Sequence, residues 1–232
     1  MRTLILLIFI VICAILFIPI IFLCYVLRCS QPLFLISKWI IRMARVILGI
    51  RFEVSGIERI EKRKAYIFMS NHLSIIDGPL LFMLIPQSIR VILKKEAFRI
   101  PIIAQAMRQA GLIPVDRKRL KGGKASIDRA SRMIREKGFS FLIFPEGTRS
   151  RDGELQPFKR GGVFLALNSQ VDIFPVTIKG TYEMMPKGSF FIKKGKVRVV
   201  FHPPVSVEGF DRQNLSLLVD KVRDIIKAGL DE

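Results

Sequence analysis

An uncharged apolar segment near the amino terminus limits what this chain can fold into more than any other feature. Residues 3–27 contain no charge, and nearly every position is Leu, Ile, Phe, Val, Ala or Cys. A helix needs roughly 20 apolar residues to cross a bilayer core, and this segment is longer. A cleaved secretory signal is the alternative, but only Met1 and Arg2 precede the segment and no small-residue cleavage site ends it. We therefore predict a retained membrane helix that, kinked at Pro19, spans the bilayer or dips into one leaflet.

The placement of charge and cysteine predicts where the rest of the chain lies. Lys and Arg number 38 against 19 Asp and Glu, a formal net charge of +19. Such an excess favours a polyanionic partner, and beside an apolar segment we expect an anionic membrane surface rather than nucleic acid. Basic residues cluster after the segment, so if the helix spans, the positive-inside rule places the remaining chain in the cytoplasm, and we expect the cell inner membrane. Cys13, Cys24 and Cys29 all lie in or beside the segment, which fits a reducing compartment.

A second apolar stretch, residues 33–50, is interrupted by cations at helical spacing. In a helix Lys38, Arg42 and Arg45 would share one stripe, opposite Trp39 and its apolar neighbours. An interfacial helix with its cations among lipid headgroups has this pattern. An ordinary helix packed on the protein core is the alternative, and both stay open.

Beyond residue 50, short β-type runs alternate with helical ones. The predicted strands are 52–54, 65–69, 90–93, 112–115, 140–144, 174–178 and 197–202. The predicted helices are 75–84, 101–110, 123–137, 161–169 and 211–228. Strands that alternate with helices indicate an α/β fold with a single, mostly parallel sheet flanked by helices. We expect residues 1–50 to form the membrane-anchoring helices and residues 51–232 to form one α/β domain.

His72 and Asp77 form the first pair with a chemical meaning. They follow the predicted strand 65–69, and α/β folds build their sites on loops at the carboxyl ends of strands. On a regular helix the two would lie roughly 140° apart, so they meet only if His72 is on the loop and Asp77 begins the helix. A histidine there can accept a proton near neutral pH while the carboxylate holds its tautomer. Alternatively Asp77 only caps the helix, in a capping box with Ser74.

A second polar segment, residues 144–151, follows another apolar strand. Gly147 permits unusual backbone dihedrals and close approach. Arg149 and Arg151 offer forked donors that suit phosphate. Glu146 would pair with an arginine or bind a substrate hydroxyl. A tight turn with solvated charges is the alternative.

A third segment ends the predicted strand 112–115 with Asp116 and Arg117. It belongs to a run rich in cations: Arg90, Lys94, Lys95, Arg99, Arg108, Arg117, Lys118, Arg119, Lys121 and Lys124. A surface of this charge would attract an anionic headgroup or a phosphorylated carrier. A solvated basic face is the alternative.

Taken together, these segments resemble the glycerolipid acyltransferases. Asn71-His72-x4-Asp77 and residues 113–117, 144–150 and 174–178 match, in order, the four sequence blocks of that family. The resemblance covers roughly residues 65–180, and the chain looks most like the bacterial 1-acyl-glycerol-3-phosphate acyltransferases. Residues 158–161, Phe-Lys-Arg-Gly, are similar to the basic segment that follows the third block. Pro114 departs from the bulky apolar residue that many relatives carry.

The resemblance implies a direct transfer of a fatty acyl group. His72 would take the proton from the 2-hydroxyl of the acceptor as that oxygen attacks an acyl thioester, and Asp77 would orient His72. Backbone amides near Gly147 would hold the oxyanion. The implied substrate-binding residues are Asn71, Lys94, Arg117, Glu146, Gly147, Thr148 and Arg149. The donor, acyl-CoA or acyl-acyl carrier protein, is a co-substrate, so we expect no cofactor and no metal.

Two other functions stay open. One keeps the chemistry and changes the acceptor to another lyso-lipid, such as a lyso-ornithine lipid. The other is a membrane-tethered nucleic-acid-binding protein, motivated by the net charge alone, since no recognised nucleic-acid motif is present. The motifs favour lysophosphatidic acid, an acyl donor and anionic membrane lipids as partners, and no nucleic acid.

Overall fold

Two N-terminal helices precede an alternation of strands and helices. The computed structural model describes residues 1–27, 29, 31–99, 101–116 and 120–231. The helices are α1 (Arg2–Val26), α2 (Gln31–Leu48), α3 (Asp77–Leu84), α4 (Pro101–Gln109), α5 (Leu120–Lys137), α6 (Gly161–Ser169), α7 (Thr181–Met184) and α8 (Leu215–Asp231). The strands are β1 (Ile50–Ser55), β2 (Ile67–Ser70), β3 (Ile89–Lys94), β4 (Ile113–Val115), β5 (Ser140–Ile143), β6 (Ile173–Lys179) and β7 (Gly195–Phe201). Short 3₁₀ turns lie at Ile57–Arg59 and Lys95–Phe98.

The strands form one sheet in the order β1-β7-β6-β2-β5-β3-β4. All neighbouring pairs are parallel except β6 and β7, which are antiparallel. The carboxyl ends of β2, β5 and β6 therefore lie together at one end of the sheet, and β7 and β1 begin at that same end. The predicted α/β class with a mostly parallel sheet is confirmed, and each predicted strand overlaps an observed one.

Helices on both faces enclose the sheet in two hydrophobic clusters. Successive strand residues point to opposite faces. In β2, Phe68 belongs to one cluster, while Ile67 and Met69 belong to the other. β2 is buried along its whole length, as expected for a parallel strand that is covered on both sides. This double burial explains why the strand is an apolar run instead of an alternating pattern.

The N-terminal helices pack against the α/β part. Leu6 of α1 and Leu48 of α2 are buried in the cluster that contains Phe68. Trp39 of α2 contacts the ring of Phe9 in α1, with centroids 6.1 Å apart. Among the described residues, α1 is the one helix long and apolar enough to cross a membrane, with a mean hydropathy of 3.5, and most of its surface is exposed.

Hydrogen bonds fasten both ends of α1. The Thr3 hydroxyl accepts the backbone N–H of Ile192 at 3.2 Å. At the other end, Gln109 Nε2 donates to the carbonyl of Cys24 at 2.6 Å. Ile192 precedes β7, next to edge strand β1, whereas Gln109 ends α4, which leads into the other edge strand, β4. α1 therefore reaches across the α/β part from one side of the sheet to the other.

α2 differs from the predicted interfacial helix. Lys38 Nζ donates to the Ile85 carbonyl at 2.9 Å, and Arg45 Nε donates to the Ile50 carbonyl at 3.1 Å. Of the three predicted stripe cations, Arg42 is the exposed one. The stripe prediction is wrong for Lys38 and Arg45, because both side chains are half-buried and donate to backbone carbonyls of the protein. α2 packs against α1 and α3, but three of its large apolar side chains stay exposed: Leu35, Trp39 and Val46. Its interfacial placement therefore stays a prediction.

The predicted basic surface also loses a member. Arg90 is only 4% exposed, and its guanidinium lies 4.3 Å from the Phe34 ring centroid and 3.8 Å from that of Phe139. Its burial lowers the pKa of the guanidinium to about 10. The prediction failed because β3 lies inside the sheet, where its first residues are covered. Lys95, from the same run, is paired with Asp116 at 2.7 Å.

Candidate active site

His72 and Asp77 meet at the carboxyl end of β2, as their spacing required. His72 lies on the loop after β2, Asp77 is the first residue of α3, and His72 Nδ1 is 2.9 Å from Asp77 Oδ2. Asp77 is fully buried, while the His72 side chain keeps 19% of its surface exposed. An ionised carboxylate can only accept, so Nδ1 donates and Nε2 of the neutral ring is left to bind a proton. This is the arrangement of an oriented general base.

The Asp77 carboxylate also shapes the loop between the two residues. Its Oδ2 accepts the backbone N–H groups of Leu73 and Ser74, each at 2.7 Å. The capping interpretation is thus half right: Asp77 reaches back to Ser74 N–H, but the Ser74 hydroxyl donates to the Met185 carbonyl at 2.7 Å. One oxygen therefore both holds the loop and orients the imidazole.

Phe144, at the end of β5, fixes the plane of the imidazole. Its ring stacks on His72 with centroids 4.0 Å apart and planes 20° apart. The stack keeps the imidazole ring from tilting out of its plane. The bond from Nδ1 to Asp77 fixes the direction in which Nε2 points. The side chain is held before any substrate binds.

Glu146 holds the backbone of the same histidine. Its Oε1 accepts His72 N–H at 2.6 Å and its Oε2 accepts Gln156 N–H at 3.0 Å. Burial raises the pKa of Glu146 to about 7, and the nearby Asp77 acts in the same direction, against the opposing effect of the two N–H donors. Because both oxygens accept backbone N–H groups, Glu146 supports the His72 loop, and its predicted contact with a substrate hydroxyl or an arginine stays a prediction.

Asn71 is a second support. Its Nδ2 donates to the Ile178 carbonyl and its Oδ1 accepts Ile178 N–H, both at 2.9 Å. The side chain is fully buried, so it ties the start of the loop to β6. Asn71 is thus seen to support the loop, and its predicted substrate contact stays a prediction.

Gly147 and Lys159 lie together beside His72. Gly147 has φ +74°, and its N–H donates to the Phe144 carbonyl at 3.0 Å within the turn. The turn uses this N–H, so an oxyanion donor among the backbone amides near Gly147, which stays a prediction, would be another one. A Cβ on Gly147 would come within 2.8 Å of Lys159 Nζ, so the glycine makes room for the ammonium.

Thr148 and Arg149 meet a lysine that no motif contains. Lys187, after α7, donates to Thr148 Oγ1 at 3.0 Å and to the Arg149 carbonyl at 3.2 Å. Lys187 is therefore bonded to the segment after β5 that carries Arg149. A segment that carries one cation and binds a second suits a doubly charged phosphate.

The remaining predicted substrate residues are less central. Lys94 ends β3, the strand next to β5, and its Nζ lies 3.5 Å from Glu96 Oε1. Its side chain is 55% exposed. Arg117 lies outside the described residues.

A large apolar cavity opens at His72. It has a volume of about 1120 Å³, above the range of roughly 300–1,000 Å³ usual for ligand pockets. His72, Gly147 and Lys159 supply polar groups to its wall. Apolar side chains of both N-terminal helices and of β3 supply much of the rest: Ile10, Cys13, Phe17, Phe34, Ile40, Ile41, Val91 and Leu93. The cavity can hold a long flexible apolar chain next to the base.

Sequence reasoning missed the contributions of Lys187 and of both N-terminal helices to the site. Lys187 stands between Pro186 and Gly188, with no periodicity or motif to single it out. The helices were interpreted as anchors because their apolarity is explained by lipid as well as by a cavity wall. Cys13 and Ser37, small residues that line the cavity, were the available signal that these helices face something other than lipid alone.

A family model described as Acyltransferase matches residues 51–179 of the chain. The chain is 38% identical over 181 residues to a Limnanthes douglasii protein named 1-acyl-sn-glycerol-3-phosphate acyltransferase, with 78% of this chain and 61% of that protein covered. It is 32% identical over 190 residues to a Borreliella burgdorferi protein of the same name, with 80% and 75% covered. The chain thus spans about three fifths of the length of the plant relative.

Among solved structures, the chain is similar to the crystal structure of the 1-acyl-sn-glycerophosphate (LPA) acyltransferase PlsC from Thermotoga maritima. The TM-score is 0.80 at 26% identity, over 99% of this chain and 96% of that one. The similarity therefore includes the N-terminal helices as well as the sheet.

Proposed function

The chain belongs to the Acyltransferase family, and we propose on that premise that it transfers a fatty acyl group from an acyl thioester to the 2-hydroxyl of 1-acyl-glycerol-3-phosphate, giving phosphatidic acid. The observation that carries the proposal is the His72–Asp77 pair at the mouth of an apolar cavity. A base beside a chain-shaped apolar space suits attack by a hydroxyl on a fatty acyl thioester. The names of the relatives supply the acceptor.

In the proposed reaction His72 Nε2 takes the proton of the acceptor 2-hydroxyl as its oxygen attacks the thioester carbonyl. The Asp77 carboxylate stabilises the imidazolium that forms. Collapse of the tetrahedral intermediate breaks the carbon–sulfur bond, and the departing sulfur receives the proton from Nε2. The transfer is direct and uses no acyl-enzyme, so the acyl donor is the only co-substrate and no cofactor is proposed.

Lys159 is the proposed partner of the oxyanion. Its ammonium lies over Gly147 in the cavity wall that also contains His72. A cation aimed at the developing charge lowers the barrier more than one that binds the ground-state carbonyl. This assignment replaces the Gly147 amide, which bonds Phe144.

Arg149 and Lys187 are the proposed ligands of the acceptor phosphate. The Arg149 guanidinium has no hydrogen-bond or ion-pair partner among the side chains that the structure describes, and Lys187 bonds Thr148 and the Arg149 backbone carbonyl of the same segment. A phosphomonoester would therefore meet a forked donor and a point charge together. Thr148 and Lys94 are proposed to lie at the periphery of this subsite.

The proposed location is the cytoplasmic face of the inner membrane. α1 is apolar enough for the bilayer but is bonded to the α/β part at both Thr3 and Cys24. A helix fastened at both ends lies along the protein and does not extend away from it across the bilayer. We therefore favour insertion into one leaflet, with the anionic lipids of that leaflet as the surrounding partners.

An acceptor-by-donor assay on detergent-purified protein tests the function. Acyl transfer should be observed with lysophosphatidic acid, and with either acyl-CoA or acyl-acyl carrier protein as donor. Acceptors with choline or ornithine headgroups should react much more slowly, because they lack the phosphomonoester. His72→Ala should lower kcat by ~10²–10⁴-fold or more.

The chain offers a matched control in its second histidine. His202 follows β7 and bonds Thr177 Oγ1 at 2.8 Å, where the Thr177 hydroxyl also donates to the Ile226 carbonyl of α8. His202→Asn should keep near wild-type turnover in the same detergent. Full turnover in a folded His72→Ala protein would exclude His72 as the base.

A further inference from the structure

The loop between α7 and β7, residues 186–194, presents two adjacent phenylalanines to solvent. Phe190 is 84% exposed and Phe191 is 75% exposed. Both exceed Phe22, which at 66% is the most exposed large hydrophobic residue of α1. Paired exposed rings mark an interaction surface, because a soluble surface seldom keeps large apolar side chains together in water.

The exposure is built into the loop by its own hydrogen bonds. Ser189 N–H donates to the Pro186 carbonyl at 3.1 Å, and Phe191 N–H donates to Ser189 Oγ at 3.2 Å. Lys193 N–H returns to the Met184 carbonyl at 3.0 Å and closes the loop. The turn therefore holds the two rings outward.

The loop is joined both to α1 and to the candidate site. Ile192 N–H donates to the Thr3 hydroxyl, so the exposed rings continue the exposed apolar surface where α1 begins. Lys187, at the other end of the loop, donates to Thr148 Oγ1 and to the Arg149 carbonyl. The loop thus lies between the apolar helix and the proposed phosphate subsite.

We propose that residues 186–194 form a second membrane contact, separate from α1. Phe190 and Phe191 enter the interfacial region of an anionic phospholipid bilayer, and the exposed side chains of Lys193 and Lys194 meet its headgroups. Aromatic rings flanked by cations are the side chains that favour this region. Lipid is favoured over a protein partner because the loop is continuous with α1, whose own exposed face suits lipid.

This contact deepens the proposed function and rests on it in one respect. Seating the loop in the headgroup layer brings Thr148 and Arg149 to the same layer, because Lys187 is bonded to both residues. A lysophospholipid can then reach the phosphate subsite while its acyl chain stays in the membrane. The contact itself is independent of catalysis and can be measured without it.

Tryptophan fluorescence tests the contact directly. The chain has one tryptophan, so Phe191→Trp with Trp39→Phe places the only one in the loop. The full-length variant is reconstituted into phosphatidylglycerol–phosphatidylethanolamine vesicles with lipids brominated near the headgroup. We expect a blue-shifted emission and a loss of about half of its intensity or more on bromination. An unshifted and unquenched emission overturns the proposal.

Leu217→Trp in the same background is the matched control. Leu217 is 63% exposed near the start of α8. The other end of α8 lies at the end of the sheet that carries the site, where Lys179 bonds the Leu230 carbonyl. Leu217 therefore lies toward the opposite end of the sheet. It should show neither shift nor quenching, and equal quenching at both positions also overturns the proposal. A shift produced by a purified acidic carrier protein in detergent, and none with vesicles, would assign the loop to a protein partner instead.

A double variant links the contact to turnover. Phe190→Ser with Phe191→Ser should lower the rate on vesicle-embedded acceptor about threefold or more, while leaving the rate on a short-chain, water-dispersed acceptor unchanged. An equal loss on both acceptors, or no loss on either, counts against the loop as a docking surface. If neither protein transfers acyl groups, the proposed function fails while the fluorescence result still stands.

Discussion

Glu146 accepts the backbone N–H of His72 at 2.6 Å, across 74 residues of sequence. The segment after β5 also binds the carbonyl of the same residue, since Ser150 N–H donates to the His72 carbonyl at 2.8 Å. Both backbone groups of the proposed base are therefore bonded to one loop. The two motifs are parts of a single support, and a change in either one alters the position of the imidazole.

The raised pKa of Glu146 predicts a pH dependence of stability. Its pKa rises from the ordinary 4.5 to about 7 on folding, so between these values the folded protein binds more protons than the unfolded one. The free energy of unfolding should therefore fall as pH rises through this window, with the full loss present above pH 7. Thermal unfolding in detergent between pH 5 and pH 8 should show a steeper decline for wild type than for Glu146→Gln. Parallel profiles would contradict the assignment.

Asp77→Asn should separate orientation from capping. An asparagine oxygen can still accept the N–H groups of Leu73 and Ser74, so the fold should survive, but the charge that stabilises the imidazolium is lost. We expect kcat to fall at least ~10²-fold with little change in KM. Ser74→Ala, which removes only the hydroxyl bonded to Met185, is the control and should cost much less. If Asp77→Asn loses activity only in proportion to its unfolded fraction, Asp77 is a cap.

Arg149→Ala should affect the two substrates differently. Loss of a charged hydrogen bond to the phosphate raises KM for lysophosphatidic acid by roughly 10–100-fold, and leaves KM for the acyl thioester nearly unchanged. Lys187→Ala should act in the same direction, because it removes a charge and the bond to Thr148. Initial rates over a matrix of both substrate concentrations distinguish the two effects. Equal increases for both substrates would indicate a structural role.

Arg90→Lys should destabilise the fold. A lysine keeps the charge but cannot present a flat guanidinium to Phe34 and Phe139 together. The expected loss is about 1–3 kcal/mol of unfolding free energy, measured by denaturant titration in detergent micelles. Arg42→Lys, at an exposed position of α2, should stay within about 0.5 kcal/mol of wild type. Similar values for the two variants would contradict the buried stacking.

Most of the fold was predictable because the central strands are apolar runs bounded by turn residues. β5 and β6 were found this way, and helix α6 was predicted with its observed bounds, Gly161–Ser169. α7 was missed because four residues carry no periodic pattern. The division into residues 1–50 and 51–232 stays a prediction, and α1 and α2 share the core and the cavity wall with the α/β part.

The site was predictable where chemistry depends on spacing along the chain. His72 and Asp77 are close in sequence, so a strand-to-helix turn was enough to pair them. Asn71 and Glu146 were predicted to bind substrate, and the sequence did not reveal that they bond backbone atoms of segments far away along the chain. Polar residues within a motif do not reveal whether they face the substrate or the main chain.

The hydrogen bond between Thr3 and Ile192 also bears on how the protein folds during its synthesis. Its two ends are 189 residues apart, so at 5–20 residues per second Ile192 is synthesised roughly 10–40 s after Thr3. During that interval α1, the most apolar part of the molecule, exists without the partner that anchors its first turn. In a nascent chain in this state, a lipid bilayer or a chaperone must shield the apolar surface of α1 from water. The cavity wall that α1 supplies is therefore synthesised well before the Thr3–Ile192 bond can fix its first turn.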